Sequence, residues 1–151
     1  MPQSLARVYL HVVFSTKDRY PFLEPPALRH ELHAYLGGVL KNLDCVPVEI
    51  GGVADHVHLL LLHPRTKSIA EVVKEAKRIS TGWLQEQSGM PVHFHWQAGY
   101  GVFSVSQSKV EEVVEYIRGQ EEHHRRVTFQ DEYREFLRKH AVEFDEKYVW
   151  D

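Results

Sequence analysis

The sequence predicts an α+β fold in which an antiparallel sheet carries helices, with additional helices at the C-terminal end. Segments with strand patterns and segments with helical periodicity occur in the order strand, helix, strand, strand, helix, strand. Further helical segments come after the fourth strand. This order is that of the ferredoxin-like sandwich, an architecture that hosts many functions and by itself specifies none.

The first half of the chain supplies three of the predicted strands. Residues 6–16 alternate in character, so one face is formed by Val8, Leu10, Val12 and Phe14 and the other by Tyr9, His11, Val13 and Ser15. A loop over 17–26 and a helix over about 27–42 follow. A second strand is predicted over 46–53, where the Gly51-Gly52 pair indicates a bulge or a close backbone approach. A tight connection then leads into the strand that contains His56.

Capping signals mark the helices of the second half. Ser68 and Glu71 have the capping-box spacing and begin a helix that we expect to end before Gly89. A short fourth strand is predicted over 100–106.

The same spacing recurs after that strand. Ser108 and Glu111 predict the start of another helix. A last helix is predicted over about 130–140, and an aromatic tail is expected to dock on the body of the protein through Phe144, Tyr148 and Trp150.

Length and composition predict one compact domain spanning residues 1–151. The net charge of -3 argues against a generally basic nucleic-acid binder but permits a local basic groove. The single cysteine, Cys45, excludes an internal disulfide and fits a reducing compartment. No segment is apolar enough to span a bilayer and no signal-peptide pattern is present, so we expect a cytoplasmic protein that does not bind membranes.

The pair His56 and His58 carries the strongest chemical signal. Residues two apart on a strand point to the same side, so both imidazoles leave one face together and can share a metal ion. Such pairs are common as ordinary packing, and the chain contains eleven histidines. The neighbouring residues are almost all apolar, however, and polar groups in such a setting need partners. This setting favours the metal-binding interpretation.

Tyr116 and Gln120 are the second notable pair. Four residues apart on a helix, they are neighbours on its surface, and Tyr116 is predicted at the edge of the buried face. An ordinary boundary aromatic is the alternative interpretation of this tyrosine. Gly119, between them, indicates either close approach to another backbone or to DNA, or a tolerated glycine.

Four segments together resemble the single-tyrosine HUH transposases of the small insertion-sequence type, to which the REP-associated tyrosine transposases are related. They are residues 9–17, 55–60, 99–106 and 116–124, and the resemblance spans nearly the whole chain. It implies that His56, His58 and Gln120 bind a divalent cation, Mg²⁺ or Mn²⁺. It also implies that Tyr116 attacks a phosphate of single-stranded DNA bearing hairpins, giving a 5′-phosphotyrosine intermediate and a free 3′-hydroxyl.

The resemblance further implies a homodimer in which the tyrosine helix of one subunit completes the histidine site of the other. The sequence is compatible with a tyrosine helix that acts within its own chain or on the partner subunit.

Basic residues near these motifs are candidates for DNA binding. Two follow the first strand, three share one arc of the helix after Ser68, and two follow the tyrosine helix. In that order they are Lys17, Arg19, Lys74, Lys77, Arg78, Arg125 and Arg126. Each is also explained as part of a solvated surface, but together they could line a phosphate-binding groove.

Two other functions fit parts of the pattern. A non-catalytic nucleic-acid-binding protein of the same fold, a domesticated relative, would not need His56, His58, Tyr116 and Gln120 together. A hydrolytic metal-dependent phosphoesterase would use water as the nucleophile, so no covalent adduct with DNA would form. The adduct therefore separates the transposase from both alternatives.

Overall fold

The structure is a computed structural model that describes residues 2–87, 89–91 and 93–151. It contains four strands, β1 (Val8–Ser15), β2 (Val46–Val53), β3 (His56–His63) and β4 (Gly101–Val105). The α-helices are α1 (Pro26–Asn42), α2 (Ile69–Gln85), α3 (Val110–Arg118), α4 (Gln120–His123) and α5 (Phe129–Lys139). Short 3₁₀ turns occupy Lys17–Arg19 and Gln107–Lys109.

The strands form one antiparallel sheet in the order β2-β3-β1-β4. This is the ferredoxin-like order, so the predicted fold class is confirmed. Adjacent pairing of β1 with β3 places Ser15 opposite His56 and Val13 opposite His58. The histidine pair therefore lies in the interior of the sheet, flanked by strands on both sides.

Both faces of the sheet are covered. One face packs on α1 and α2 through a core that includes Leu10, Val12, Phe14, Val57, Leu59 and Leu61. The opposite face packs on the later helices, with Leu60 against α3 and Val13 against α5. Because side chains alternate along a strand, His11, His56 and His58 fall on this second face, beneath α3, α4 and α5.

Gly51 and Gly52 allow close approach of neighbouring backbone, as predicted. A Cβ atom at Gly51 would lie 2.7 Å from Cγ2 and 2.9 Å from the carbonyl oxygen of Ile117 in α3. Gly52 has φ 151°, and a Cβ there would meet the carbonyl oxygen of His56. The irregular register of β2 lies instead between Pro47 and Glu49. Gly51 thus permits the close approach of α3 to the sheet, while Gly52 permits that of the β3 backbone.

The helix start predicted at Ser68 is confirmed, with Ser68 as its N-cap, while the capping box predicted at Ser108 is wrong. The Ser68 hydroxyl accepts a hydrogen bond from the Glu71 amide at 3.0 Å. Ser108 lies inside a 3₁₀ turn and its hydroxyl contacts that of Ser106, so α3 begins later, at Val110. The tight turn carries the chain into the helix without a side-chain cap.

Two further predictions need correction. The tyrosine helix does not run on continuously through Gln120, because at Gly119 (φ -87°, ψ 12°) the chain leaves helical geometry and α4 begins. In the aromatic tail, Phe144 and Trp150 pack on the α5 core as predicted, but Tyr148 is exposed. Among the described residues, no helix is both long and apolar enough to cross a bilayer.

Candidate active site

His56 and His58 are both completely buried. They leave β3 on the face covered by the later helices, and their ring centroids lie 5.1 Å apart. A buried imidazole without partners is costly, so the surrounding contacts determine its role.

The carboxylate of Glu132, on α5, lies between the two histidines. Its Oε1 atom is 2.9 Å from Nε2 of His58 and 3.3 Å from Nε2 of His56. Its Oε2 atom is 3.1 Å from Nε2 of His124 and 3.2 Å from Nε2 of His123. Glu132 is only 3% exposed. One buried carboxylate thus faces four imidazole rings.

Tyr116 and Gln120 reach the same carboxylate. The Tyr116 hydroxyl donates to Oε2 of Glu132 and lies 3.3 Å from Nε2 of His123. The Gln120 amide nitrogen donates to Oε2 of Glu132 at 3.0 Å, and its oxygen lies 3.0 Å from Nε2 of His56. Tyr116 is half-buried and Gln120 is buried. The two pairs recognised in the sequence therefore meet within a single chain.

The helix break at Gly119 leaves Gln120 at the start of α4, and this helix is tied to the body of the protein. Arg29 of α1 bonds Glu121 at 2.9 Å and also donates to the carbonyl oxygens of Leu23 and Glu24. These contacts connect α4 to α1 and so help to hold the Gln120 amide against His56 and Glu132.

The outer ring nitrogens have partners that select the tautomer. Nδ1 of His56 faces the Asp55 carboxylate at 2.7 Å, and Nδ1 of His124 faces the Val127 carbonyl oxygen at 2.6 Å. Both partners only accept hydrogen bonds, so each Nδ1 carries a hydrogen. In the neutral rings, the lone pairs are therefore on Nε2. Metal-binding histidines show this arrangement, in which the outer nitrogen donates to a carboxylate or carbonyl oxygen.

The donor set suits a divalent cation. One ligand atom from each of His56, His58, His124 and Glu132 lies within 4.8 Å of all the others. The Nε2 lone pair of a neutral His56 would face two acceptors, the Gln120 amide oxygen and Glu132 Oε1. Such a contact is repulsive unless a positive charge lies between the atoms, either a proton or a metal ion. The residues present therefore fit a metal ion held by nitrogen and oxygen ligands.

Titration in this cluster follows from burial and from the Glu132 charge. Burial alone disfavours the charged form of His56, but hydrogen bonds to Asp55 and Glu132 outweigh it and raise the pKa of His56 to about 9. For His58, burial prevails and its pKa is lowered. Burial opposes ionisation of Glu132, yet hydrogen bonds from His124, His56 and His58 hold its pKa far below the usual range. Without a cation, a proton on His56 balances this carboxylate.

The pKa of the Tyr116 hydroxyl is raised, first by burial and then by the adjacent Glu132 charge. The phenol therefore stays protonated until the surrounding charge changes. A cation near Glu132 would reverse the local field and favour the phenolate, the nucleophilic form.

The model of the family described as IS200-like transposases matches residues 4–120, which include His56, His58, Tyr116 and Gln120. The chain belongs to the IS200-like transposase family. Transposases transfer DNA strands, so this membership places the chain among DNA-strand transferases.

Two solved structures share the fold of this family member. A candidate transposase from Deinococcus radiodurans is 23% identical over 80% of this chain and 95% of its own, with a TM-score of 0.59. A REP-associated tyrosine transposase bound to a REP hairpin is 12% identical over 82% of this chain and 73% of its own, with a TM-score of 0.59. No curated protein matches the chain at a significant level.

Sequence reasoning missed Glu132, His123, His124, Asp55 and His11 as parts of the cluster. A signal was present for Glu132, because it lies three residues after Phe129 and four before Phe136, within the apolar stripe of α5. A carboxylate in such a stripe requires a buried partner. Glu132 and His124 both lie beyond residues 4–120, so this transposase builds half of its cluster from the segment after the matched region.

Two cavities open beside the cluster. One of about 340 Å³ is lined by Tyr116 of α3, His123 of α4, and Glu132 and Lys139 of α5, among others. The other, about 410 Å³, includes Asp55, His124, Arg29 and Arg125 in its walls. Glu132 and His124 thus each line a cavity despite the burial of the cluster.

Most of the basic residues predicted to bind DNA lie on the surface. Lys17, Lys74, Arg78, Arg125 and Arg126 are exposed, with Arg78 paired to Glu75 and Arg125 to Glu122. The Arg19 guanidinium lies over the Trp150 ring, 5.7 Å from its centroid.

Lys77 has a structural role instead. Its ammonium donates to the carbonyl oxygens of Gln97, Ala98 and Gly99 at 2.8, 3.2 and 2.7 Å. All three protons are used, so Lys77 fastens the segment before β4 and is removed from the set of proposed DNA contacts.

Proposed function

We propose that this protein cuts and rejoins single-stranded DNA at hairpin-bearing ends through a covalent link to Tyr116. One observation carries the proposal: the Tyr116 hydroxyl and the Gln120 amide bond the same buried carboxylate that contacts His56 and His58. A nucleophile and a set of metal ligands are thus combined at one point, and membership of a transposase family supports DNA as the substrate.

In this proposal, His56, His58 and Gln120 hold a divalent cation, Mg²⁺ or Mn²⁺. When bound, such a cation supplies Lewis-acid polarisation of the scissile phosphate. The Tyr116 oxygen forms a bond to phosphorus while the bond from phosphorus to the 3′-oxygen breaks. The leaving oxygen takes up a proton as a free 3′-hydroxyl, and the 5′-phosphate stays on the tyrosine. Attack by another 3′-hydroxyl reverses these steps and joins the strands, so no external energy source is needed.

The proposed DNA partner is a single strand with a hairpin. The REP-associated transposase of similar fold is bound to a REP hairpin, which supports this class of ligand. The proposed phosphate contacts are Lys17, Arg19, Lys74, Arg78, Arg125 and Arg126, of which Arg78 and Arg125 also pair with neighbouring acidic groups. We further propose that residues 1–151 act as a single domain in the cytoplasm, and that the active form is a homodimer.

Labelled hairpin DNA from the regions flanking the gene tests the proposal. With Mn²⁺, a strand labelled at its 3′ end should become attached to the protein in a form that resists denaturation. The same strand labelled at its 5′ end should instead be released as a shorter fragment. Chelation of the metal, or the double variant His56→Ala/His58→Ala, should abolish both results, while the exposed His30→Ala serves as the control.

The alternative functions give other outcomes. Cleavage without an adduct indicates a hydrolytic phosphoesterase, and binding without cleavage in Mg²⁺ and Mn²⁺ indicates a non-catalytic binding protein. Either result contradicts the proposal.

A further inference from the structure

The position of Glu132 is not explained by a three-ligand site. Its Oε1 atom lies 2.9 Å from Nε2 of His58 and 3.3 Å from Nε2 of His56. Within the described parts of the chain, the hydrogen-bonding and ion-pairing partners of Glu132 are histidines, Tyr116 and Gln120, with no lysine or arginine among them. Buried charges are normally paired with an opposite charge or bound to a metal, and here only a protonated histidine or a bound cation can supply the positive charge.

The tautomers around Glu132 point to the same conclusion. Asp55 and the Val127 carbonyl oxygen take the Nδ1 hydrogens of His56 and His124, which leaves lone pairs on the Nε2 atoms that face the carboxylate. His58 can adopt the same form by donating from Nδ1 to Nε2 of His11, 2.8 Å away. Three lone pairs and a carboxylate then surround one point. A cation there would satisfy all of them.

The second oxygen of Glu132 connects this point to the nucleophile. Oε2 accepts hydrogen bonds from the Tyr116 hydroxyl and from the Gln120 amide nitrogen. The two oxygens of one carboxylate group are held at a fixed separation. A contact of Oε1 with a cation therefore also fixes where Oε2 holds the Tyr116 hydroxyl.

We propose that Glu132 is a further protein ligand of the cation through Oε1, and that Oε2 positions Tyr116 beside it. This inference rests on the proposed function, and it assigns to α5 a part of the active site that lies outside the family-matched residues 4–120. The carboxylate gives the site a hard oxygen ligand, which favours Mg²⁺ and Mn²⁺ relative to a site with imidazole and amide ligands alone. Glu132 is a positioning residue toward Tyr116.

Mn²⁺ binding to the full-length protein tests the inference directly. The dissociation constant is measured by calorimetry, and by the spin-resonance signal of free Mn²⁺, for wild type, Glu132→Gln, Glu132→Asp and Glu135→Gln. Glu135 is the matched control because it is a glutamate on the same helix as Glu132 but has an exposed side chain. We expect Glu132→Gln to weaken Mn²⁺ binding by at least about tenfold, as loss of even an outer partner of a metal ligand costs about 10–100-fold.

Glu132→Asp should recover part of the affinity, and Glu135→Gln should match wild type. Zn²⁺ affinity should fall less than Mn²⁺ affinity in Glu132→Gln, because the imidazoles remain. Equal Mn²⁺ binding by wild type and Glu132→Gln overturns the inference while leaving the proposed function standing. Equal loss in both Gln variants overturns it as well, since the effect would then come from the net charge of the helix.

Two other outcomes are also decisive. If the wild-type protein binds neither Mn²⁺ nor Mg²⁺, the metal site of the proposed function is wrong, and so is this inference. If Glu132→Gln does not fold, anomalous diffraction from Mn²⁺-bound wild-type crystals replaces the comparison. Direct coordination of the ion by a Glu132 oxygen supports the inference, and an ion bound without Glu132 overturns it.

Discussion

The Nε2 atom of His11 lies 2.8 Å from Nδ1 of His58, so one buried imidazole on β1 orients another on β3. His11 is itself 2% exposed, and its pKa is lowered well below the usual value, mainly by burial and by the nearby His58. A neutral His11 can accept the Nδ1 hydrogen of His58. This directs the His58 lone pair toward Glu132 and the proposed cation.

Replacing this partner should weaken the metal site without removing a ligand. For His11→Ala we expect Mn²⁺ affinity to fall by about 10–100-fold, the usual effect of losing the partner that orients a ligand. Calorimetry on His11→Ala beside the exposed His30→Ala measures this effect. Unchanged affinity in His11→Ala would show that His58 does not depend on His11.

Metal affinity should rise with pH. Because the pKa of His56 is raised to about 9, its imidazole is protonated at neutral pH and must lose that proton to bind a cation. Below this pKa, affinity should increase by about tenfold for each pH unit, with about one proton released for each ion bound. Calorimetry in buffers of different ionisation enthalpy from pH 6 to 8 measures both quantities. A flat affinity over this range would contradict the protonation state assigned to His56.

The spacing between β2 and α3 should control both stability and activity. In Gly51→Ala the new methyl group would lie 2.7 Å from Cγ2 of Ile117, the residue after Tyr116. We expect a loss of about 1–3 kcal/mol in the free energy of unfolding, as for other overpacked sites, and slower DNA cleavage. Gly38→Ala is the control, because a Cβ there meets nothing within 4 Å and its helix should gain up to about 1 kcal/mol. Denaturant unfolding that gives equal stability for Gly51→Ala and wild type would contradict this packing.

Mixed variants test whether the site functions within one chain. The structure brings Tyr116 to the histidines of its own chain, with 5.7 Å between the ring centroids of Tyr116 and His58. Co-expressed Tyr116→Phe and His58→Ala proteins should therefore remain inactive, since neither chain has both groups. Co-expression of wild type with Tyr116→Phe is the control and should retain activity. Cleavage restored in the first mixture would show that the tyrosine helix serves the partner subunit.

Local patterns in the sequence were sufficient to predict the sheet and the faces of its strands. Alternation along β1 placed Leu10, Val12 and Phe14 on one face of the sheet, where they join the core. The spacing of His56 and His58 placed both rings together on one face of their strand, which is the opposite face of the sheet. The cap at Ser68 was predicted because it depends on residues only three apart. The 3₁₀ turn at Ser108 could not be predicted from local spacing, because the same residues fit both a 3₁₀ turn and a capped helix.

The rest of the site depends on contacts between distant segments. Glu132 is 74 residues from His58, and only the docking of α5 on the sheet brings them together. Helical periodicity could place Glu132 in the apolar stripe but could not identify its partners. The helix break at Gly119 could not be predicted either. The spacing of Tyr116 and Gln120 does not require the helix to end, and a Cβ at Gly119 would make only ordinary contacts, so packing does not require a glycine there.

The identity of the tyrosine that becomes linked to DNA tests the central claim most directly. After reaction with hairpin-bearing single strands and Mn²⁺, the adduct is digested and the linked peptide is mapped by mass spectrometry. The DNA should be on Tyr116, and Tyr116→Phe should remain folded and bind DNA but form no adduct, since it loses one oxygen from a half-buried position. The exposed Tyr100→Phe should react like wild type. An adduct that persists in Tyr116→Phe, or one that maps to Tyr100 or Tyr133, would contradict the assignment of Tyr116 as the nucleophile.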